Sequence, residues 1–379
     1  MRTFRGRLVV LLTLIAVSVS PARAGEPWRL IVVGDSRGED NGVNTVILTE
    51  IATHIVAEQP DVVLFPGDLV EGDTDTEGLI SQLTTWRTTM LPVYSAGARV
   101  LAVRGNHEDT GSVEAWNAVF DGLFAMPGNG PVGEVNVTYS MVRYNAFVVG
   151  LDEYSDHPGR VNQTWLDAQL AANTRAHVFV FGHEPAFRAG HEDCLDVYPA
   201  DRDVFWASIT NAGGRTYLCG HDHFYDHARI DDQDSNPDND VHQLIVGTGG
   251  APLVTFDGIY DGDNGDMIPC QQYYASAYGY VRVDIHDLQV TLTWVERVDA
   301  NVFMDMETWS YSAAPRPGDL TCDGMTDWFD ADAFVLALID PAAYSLAYPD
   351  CSRMLADVNG DGNVDGRDID PFVVRLIGE

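Results

Sequence analysis

One pattern recurs five times along this chain and leaves few folds open to it: a short β-rich run ends near a glycine, and an oxygen or nitrogen ligand follows at once. Leu30 to Val33 leads into Gly34-Asp35-Ser36-Arg37, and Val62 to Phe65 leads into Gly67-Asp68-Leu69-Val70. Val100 to Val103 precedes Gly105-Asn106-His107-Glu108, and Val178 to Phe181 precedes Gly182-His183-Glu184-Pro185. The fifth, Tyr217-Leu218-Cys219-Gly220-His221-Asp222-His223, sets two imidazoles one residue apart. Imidazole is the commonest metal-binding side chain near neutral pH. Carboxylate, carboxamide and imidazole donors without thiolates suit Zn, Mn or Fe rather than a Cys-based structural zinc. A lone Asp after a strand is more often a turn or helix-cap residue; the ordered set is what points to a metal.

The segments between these turns fix the fold class. Val43 to Ala57 carries apolar residues at helical spacing, Leu79 to Leu91 forms another helix, and Ser112 to Phe120 is a helix opened by a Ser cap. This alternation predicts a sheet with parallel strands covered by helices, and in such sheets ligands gather at the carboxyl ends of the strands. Beyond Val137 strands dominate, at Val137 to Tyr144, Ala146 to Leu151, Arg215 to Leu218, His227 to Ile230, Val241 to Val246, Gly279 to Ile285 and Gln289 to Val295, with one helix at Gln163 to Ala171. The expected fold is therefore mixed α/β (α+β), a second sheet packed on the first with helices outside. His54, His177, His242 and His286 read as packing or surface residues. His191, Glu192 and Asp193 read as a solvated loop, with the substrate mouth as the other reading.

Charge narrows the partners. The formal charge is -35 in 379 residues, and all 22 basic residues are Arg. Such a surface repels phosphate backbones and anionic membranes, which argues against processive nucleic-acid binding. Arg2, Arg5 and Arg7 before the apolar run Leu8 to Val19, with Ala22-Arg23-Ala24 as a cleavage site, predict a secretory signal peptide over residues 1 to 24. A secreted or cell-surface protein follows, with no membrane span in the mature chain. Disulfides persist in that setting. Cys219 reads as a buried thiol, leaving Cys194 with Cys270 and Cys322 with Cys351 as the expected pairs.

The ordered blocks Asp-x-Arg, Gly-Asp, Gly-Asn-His-Glu, Gly-His and Gly-His-x-His, with Leu151-Asp152 and Gln163-x-Trp165-Leu166 downstream, resemble the calcineurin-like metallophosphoesterases, the superfamily that includes the purple acid phosphatases. The resemblance implies a two-sheet sandwich over residues 25 to 313 that hydrolyses small phosphoesters. It also implies that Asp35, Asp68 and His223 hold one metal and Asp68, Asn106, His183 and His221 another. His107 would then donate a proton to the leaving oxygen, Glu108 would fix the His107 ring, and a metal-bound hydroxide would attack. Arg37 stands where the family usually has a ligand His, and guanidinium cannot ligate. Three outcomes follow: another group completes the shell, one ion suffices, or the domain is a scaffold or surface protein that binds phosphate without hydrolysing it. An Arg aimed at a phosphoryl oxygen would act in catalysis. Val70 stands where purple acid phosphatases carry a ligand Tyr, so an Fe(III)-tyrosinate centre is not expected.

Residues 314 to 318 read as a proline-stiffened linker to a separate module, 319 to 379. There Asp319, Thr321, Asp323, Gly324, Met325, Asp327 and Asp330 match Asp357, Asn359, Asp361, Gly362, Asn363, Asp365 and Asp368 in register. Oxygen ligands at loop positions 1, 3, 5, 9 and 12, a carbonyl at 7 and glycine at 6 follow the logic of calcium-binding loops. Each loop opens a short helix, Trp328 to Leu338 and Ile369 to Ile377. The module resembles type I dockerins, small all-α units that bind Ca and attach to cohesin-type proteins.

Overall fold

The computed structural model describes residues 26–38, 41–110, 113–155 and 158–377. The expected signal peptide and the Ser112 cap lie outside these residues. In chain order the first elements are β1 (Trp28–Val32), the short hairpin β2 (Arg37–Gly38) and β3 (Gly42–Val43), α1 (Thr45–Glu58), β4 (Val62–Pro66), α2 (Thr76–Ser95), β5 (Arg99–Val103) and α3 (Val113–Val119). Then come β6 (Tyr139–Arg143), β7 (Ala146–Gly150), α4 (Gln163–Ala172), β8 (His177–Phe181), α5 (Pro199–Asn211), β9 (Thr216–Cys219), β10 (Tyr225–Asp231) and β11 (Val241–Val246). The body closes with β12 (Ile268–Ala275), β13 (Gly279–His286), β14 (Gln289–Asp299) and β15 (Val302–Ser312), and the tail holds α6 (Asp330–Ile339), α7 (Pro341–Ala347) and α8 (Ile369–Ile377).

Two sheets face each other, in the orders β15-β14-β13-β1-β4-β5 and β12-β10-β11-β9-β8-β7-β6. β1, β4 and β5 run parallel, as do β7, β8, β9 and β11. These strands are covered on both faces, so they read as continuous apolar runs. The side-chain period of two then sorts residues between two cores. Phe179 and Phe181 of β8 enter the core between the sheets, shared with α1, α2 and α3, whereas Val178 and Val180 pack beneath α4 and α5 with Phe205, Trp206 and Tyr217. Asn44, Asp75 and Asn162 each cap the helix that follows by accepting a backbone N–H.

The predicted sandwich is present, with additions the pattern did not reveal. Helix α5 starts Pro-Ala-Asp-Arg-Asp and buries only a few side chains, so its apolar face is thin. β15 is a mostly exposed edge strand, where burial writes no alternation. Among the described residues no helix is long and apolar enough to cross a membrane.

The tail has its own core, in which Phe334 stacks on Phe372 with centroids 3.9 Å apart and Tyr344 donates to the Leu320 carbonyl. Segment 314–318 is not a free spacer, because Arg316 donates to the carbonyls of Asn173 and Ala212 on the body. Cys322 and Cys351 are bonded, as expected. The expected Cys194–Cys270 pair is not formed. Cys194 is buried in the loop before Leu195 with its thiol directed at Asp196, while Cys270 lies on the edge strand β12 with its thiol toward the Ile268 carbonyl, so the two thiols have separate surroundings. Cys219 is the buried free thiol expected.

Candidate metal centre

The carboxyl ends of β1, β4 and β5 meet those of β8 and β9, and backbone bonds lock the turns across the sheets. Gly34 N–H donates to the Val246 carbonyl, Asp35 N–H to Gly67, Ser36 N–H to Asp68, and Gly220 N–H to His183. Three of the predicted ligands hold left-handed backbone, Asp35 at φ 59°, Asp68 at φ 49° and His221 at φ 69°. Non-glycine residues rarely adopt it, and such strain clusters at functional sites. The preceding glycines answer a steric need: a Cβ on Gly105 would strike the Asp68 carboxylate, and one on Gly220 the Asp35 carboxylate.

The six predicted ligands converge. His183 Nε2 lies 3.1 Å from Asn106 Oδ1, 3.2 Å from His221 Nδ1 and 3.4 Å from Asp68 Oδ1. His223 Nε2 lies 3.7 Å from Asp35 Oδ1, and carboxylate oxygens of Asp35 and Asp68 group tightly with His183. Outer partners fix the tautomers. His183 Nδ1–H donates to the Pro66 carbonyl at 2.9 Å and His223 Nδ1–H to Pro252 at 3.0 Å, while His221 Nε2–H faces Asp193 Oδ1 at 3.3 Å. Two lone pairs, on His183 Nε2 and His221 Nδ1, therefore confront each other in a buried space beside two oxygen acceptors. Only Asp68 Oδ1 among them has a donor, the His107 N–H at 3.2 Å; the facing lone pairs repel one another unless a cation lies among them, and this outer-partner pattern is how metal-binding imidazoles are oriented.

Electrostatics agree. Burial pushes His183 and His223 down to about 4, which keeps both imidazoles neutral and able to ligate. Burial, helped by Asp68, raises Asp35 well above the ordinary carboxylate range, and Asp35 Oδ2 is buried with no hydrogen-bond partner. A buried carboxylate oxygen without a donor is costly unless a cation serves it. The residues present fit a divalent metal.

Glu108 differs from expectation. Its carboxylate does not touch the His107 ring; it accepts the N–H groups of Asp68 at 3.1 Å, Val70 at 3.0 Å and Gly105 at 2.7 Å, clamping two ligand turns together. The His107 ring is held instead at Nδ1, which donates to the Glu71 carbonyl at 2.6 Å. Glu153 repeats the device, accepting from His183 N–H, Glu184 N–H and the Tyr217 hydroxyl. Neither announced itself in the sequence: Glu71 holds His107 through its main-chain carbonyl, which any residue carries, and Glu153 needs only to bring a carboxylate close in space. Loop 190–193 belongs to the mouth: His191 Nδ1 lies 2.6 Å from Asp222 Oδ1, and its ring centroid 4.6 Å from that of His221. His54, His177 and His242 are packing residues, bonded to the Tyr280 hydroxyl, the Asp287 carbonyl and His227 respectively, and His286 is exposed.

Comparisons with known proteins agree with this geometry. Over 278 residues the chain is 25% identical to purple acid phosphatase 22 of Arabidopsis thaliana, covering 68% of this chain and 59% of that one. Its fold resembles the purple acid phosphatase PPD1 of yellow lupin (Lupinus luteus), with TM-score 0.60 and 15% identity over 77% of this chain and 55% of the other. It also resembles a dimetal phosphatase from Danio rerio, with TM-score 0.51 and 13% identity over 76% of this chain and 99% of that one. The chain thus spans under two thirds of the length of the two plant proteins. A family profile described as calcineurin-like phosphoesterase matches residues 29–225. That match covers just over half of the sequence and all five ligand turns, and by it the chain belongs to the calcineurin-like phosphoesterase family.

Proposed function

We propose that the chain hydrolyses phosphomonoesters or small phosphodiesters with the help of divalent metal. The observation that carries this is the convergence of acceptors at His183, His221, Asn106 and Asp68, with both imidazoles fixed from outside. Asp68, Asn106, His183 and His221 would hold one ion, and Asp35, Asp68 and His223 offer a second donor set; Mn, Zn and Fe suit these ligands. Bound metal supplies an acidified water and polarises the phosphoryl group. His107, anchored at Nδ1 by Glu71, leaves Nε2 on the side of Asp68, 3.8 Å from Oδ2, where it can hand a proton to a leaving oxygen. Arg37 presents its charge to the phosphoryl oxygens. Para-nitrophenyl phosphate and its bis ester, tested with each metal, should be turned over, with a large loss in His107→Ala. Absence of turnover with all three metals would sink the proposal.

For the tail we propose calcium binding and attachment to a cohesin-type partner, in a protein exported by residues 1 to 24. The in-register repeat supports the calcium reading, as do matching loop bonds. Asp319 accepts from Asp323 and Gly324 N–H, and Asp357 accepts from Asp361 and Gly362 N–H. Titration calorimetry of the whole chain with Ca should show two sites; heat from none would refute that part.

A further inference from the structure

We propose that Arg37 takes the place of a second divalent ion, so that this centre works with one metal and one guanidinium; this rests on the phosphoesterase reading above. The two oxygens of Asp68 face different surroundings. Oδ1 accepts the His107 N–H at 3.2 Å and looks toward His183 at 3.4 Å, while Oδ2 faces the side chains that can carry positive charge, Arg37 Nε at 3.9 Å and His107 Nε2 at 3.8 Å. A guanidinium keeps its proton at any working pH. A divalent ion bridging Oδ2 would stand beside that fixed charge, and like charges so close repel strongly where water is scarce.

Arg37 is held where it is. Its Nη1 donates to Glu71 Oε2 at 2.9 Å, and the side chain is only 21% exposed. The β2–β3 hairpin that carries it is stapled to the Asp68 turn, because Ser36 N–H donates to the Asp68 carbonyl and Glu71 N–H to that of Gly42. One donor is left over: Nε is buried and has no hydrogen-bond partner. A buried donor lacking an acceptor is costly, and an oxyanion seated next to Asp68 would satisfy it with a charge-assisted bond. Arg37 also lines a cavity of about 390 Å³ with Gly38, Asn44, Pro252 and Tyr278, and the Pro252 carbonyl is the one that orients His223. The geometry thus gives one half of the centre a cation already built into the chain, with its free donor aimed at substrate phosphate.

The full chain, stripped by chelator and reloaded with Mn, is desalted and its metal counted by plasma mass spectrometry. An Asp68→Asn/His183→Ala double variant supplies the background from other acidic loops. The wild type should hold one equivalent above background and show the six-line electron paramagnetic resonance spectrum of isolated Mn(II). Arg37→His should gain a second equivalent and an exchange-coupled spectrum. Arg37→Ala should keep its one equivalent yet bind inorganic phosphate at least about tenfold more weakly. Two coupled equivalents in the wild type, or unchanged phosphate affinity in Arg37→Ala, overturn this inference and leave the phosphoesterase reading standing. No equivalent above background overturns that reading as well. Should Arg37→His fail to fold, the wild-type count decides alone.

Discussion

The metal centre and the first acidic loop of the tail both gather carboxylates, but they are assembled in opposite ways. The centre draws its donors from five turns spread between Asp35 and His223, and the buried carboxylates of Glu108 and Glu153 hold those turns in register. The tail loop takes its donors from twelve consecutive residues, Asp319 to Asp330, and ties them with its own backbone: Asp330 accepts from Leu320, Thr321 and Asp327. A contiguous loop carries its geometry in its spacing, whereas an assembled centre has geometry only when the whole body is folded. Within the tail the repeats differ too. Asp319, Asp323 and Asp330 are buried, and the carbonyls of Asp323 and Gly324 accept from Asn145 and Ala176 of the body. In the second loop Asn359, Asp361 and Asn363 remain exposed.

If this contrast is right, damage to the centre should abolish activity without unfolding the chain. His183→Ala is expected to lower kcat/KM by about 10³-fold or more, as loss of a metal ligand removes the ion's whole contribution, while the urea midpoint of the body moves little. A large fall in that midpoint would mean that the ligands are structural.

A clamp should behave differently. Glu108→Ala leaves three buried N–H groups without their acceptor, at about 1–3 kcal/mol for a lost buried partner, so both urea stability and activity should drop. Lost activity with stability intact would place Glu108 in the chemistry instead.

The tail should answer to calcium, and to pH through its own buried acids. Burial, reinforced by Asp330 and Asp323, pushes Asp319 up to about 8, and burial pushes Asp323 up to about 6. Folding of the metal-free loop therefore favours the protonated acids, while the unfolded chain ionises near pH 3.9. Its stability is fullest below that pH and declines as pH rises toward 8. In chelator the tail should melt earlier at pH 8 than at pH 5, and added calcium should restore it at pH 8. Melting that ignores both calcium and pH would remove the distinction.

The smallest effect expected is at the joint. Asn145 Nδ2 donates to the carbonyls of Asp287 and Asp323, so Asn145→Ala should weaken docking of the first loop by about 1–2 kcal/mol. Hydrogen exchange should quicken at Gly324 and Ala176 while residues 357–368 stay unchanged; quickening in both loops would mean that the tail is one indivisible unit.

The contrast also explains what could be read in advance. Every predicted ligand turn follows a strand whose residues are apolar on both faces, and a fully buried parallel strand leaves that mark in any sequence. Strands β12 and β15 lie at sheet edges and α5 has a narrow apolar face, so burial wrote little there. The convergence of Asp35, Asp68, Asn106, His183, His221 and His223 was legible because these residue types recur at a fixed offset from a strand end. Glu71, Glu153 and Asp193 were not, since any carboxylate that reaches the spot serves. Cys194 and Cys270 were paired by elimination, and their separate places, one in a buried loop and one on an edge strand, overruled that pairing.

Sequence by itself determined the donor chemistry, the parallel strands and the twelve-residue loops, because each is written in residue type and spacing along a short stretch. Tertiary structure alone decided that Glu108 clamps turns rather than a ring, that Arg37 lies against Asp68 with Nε unpartnered, and that one acidic loop of the tail is buried on the body. These are facts about groups far apart in the chain, and nothing local restrains how such groups meet until the sheets have packed.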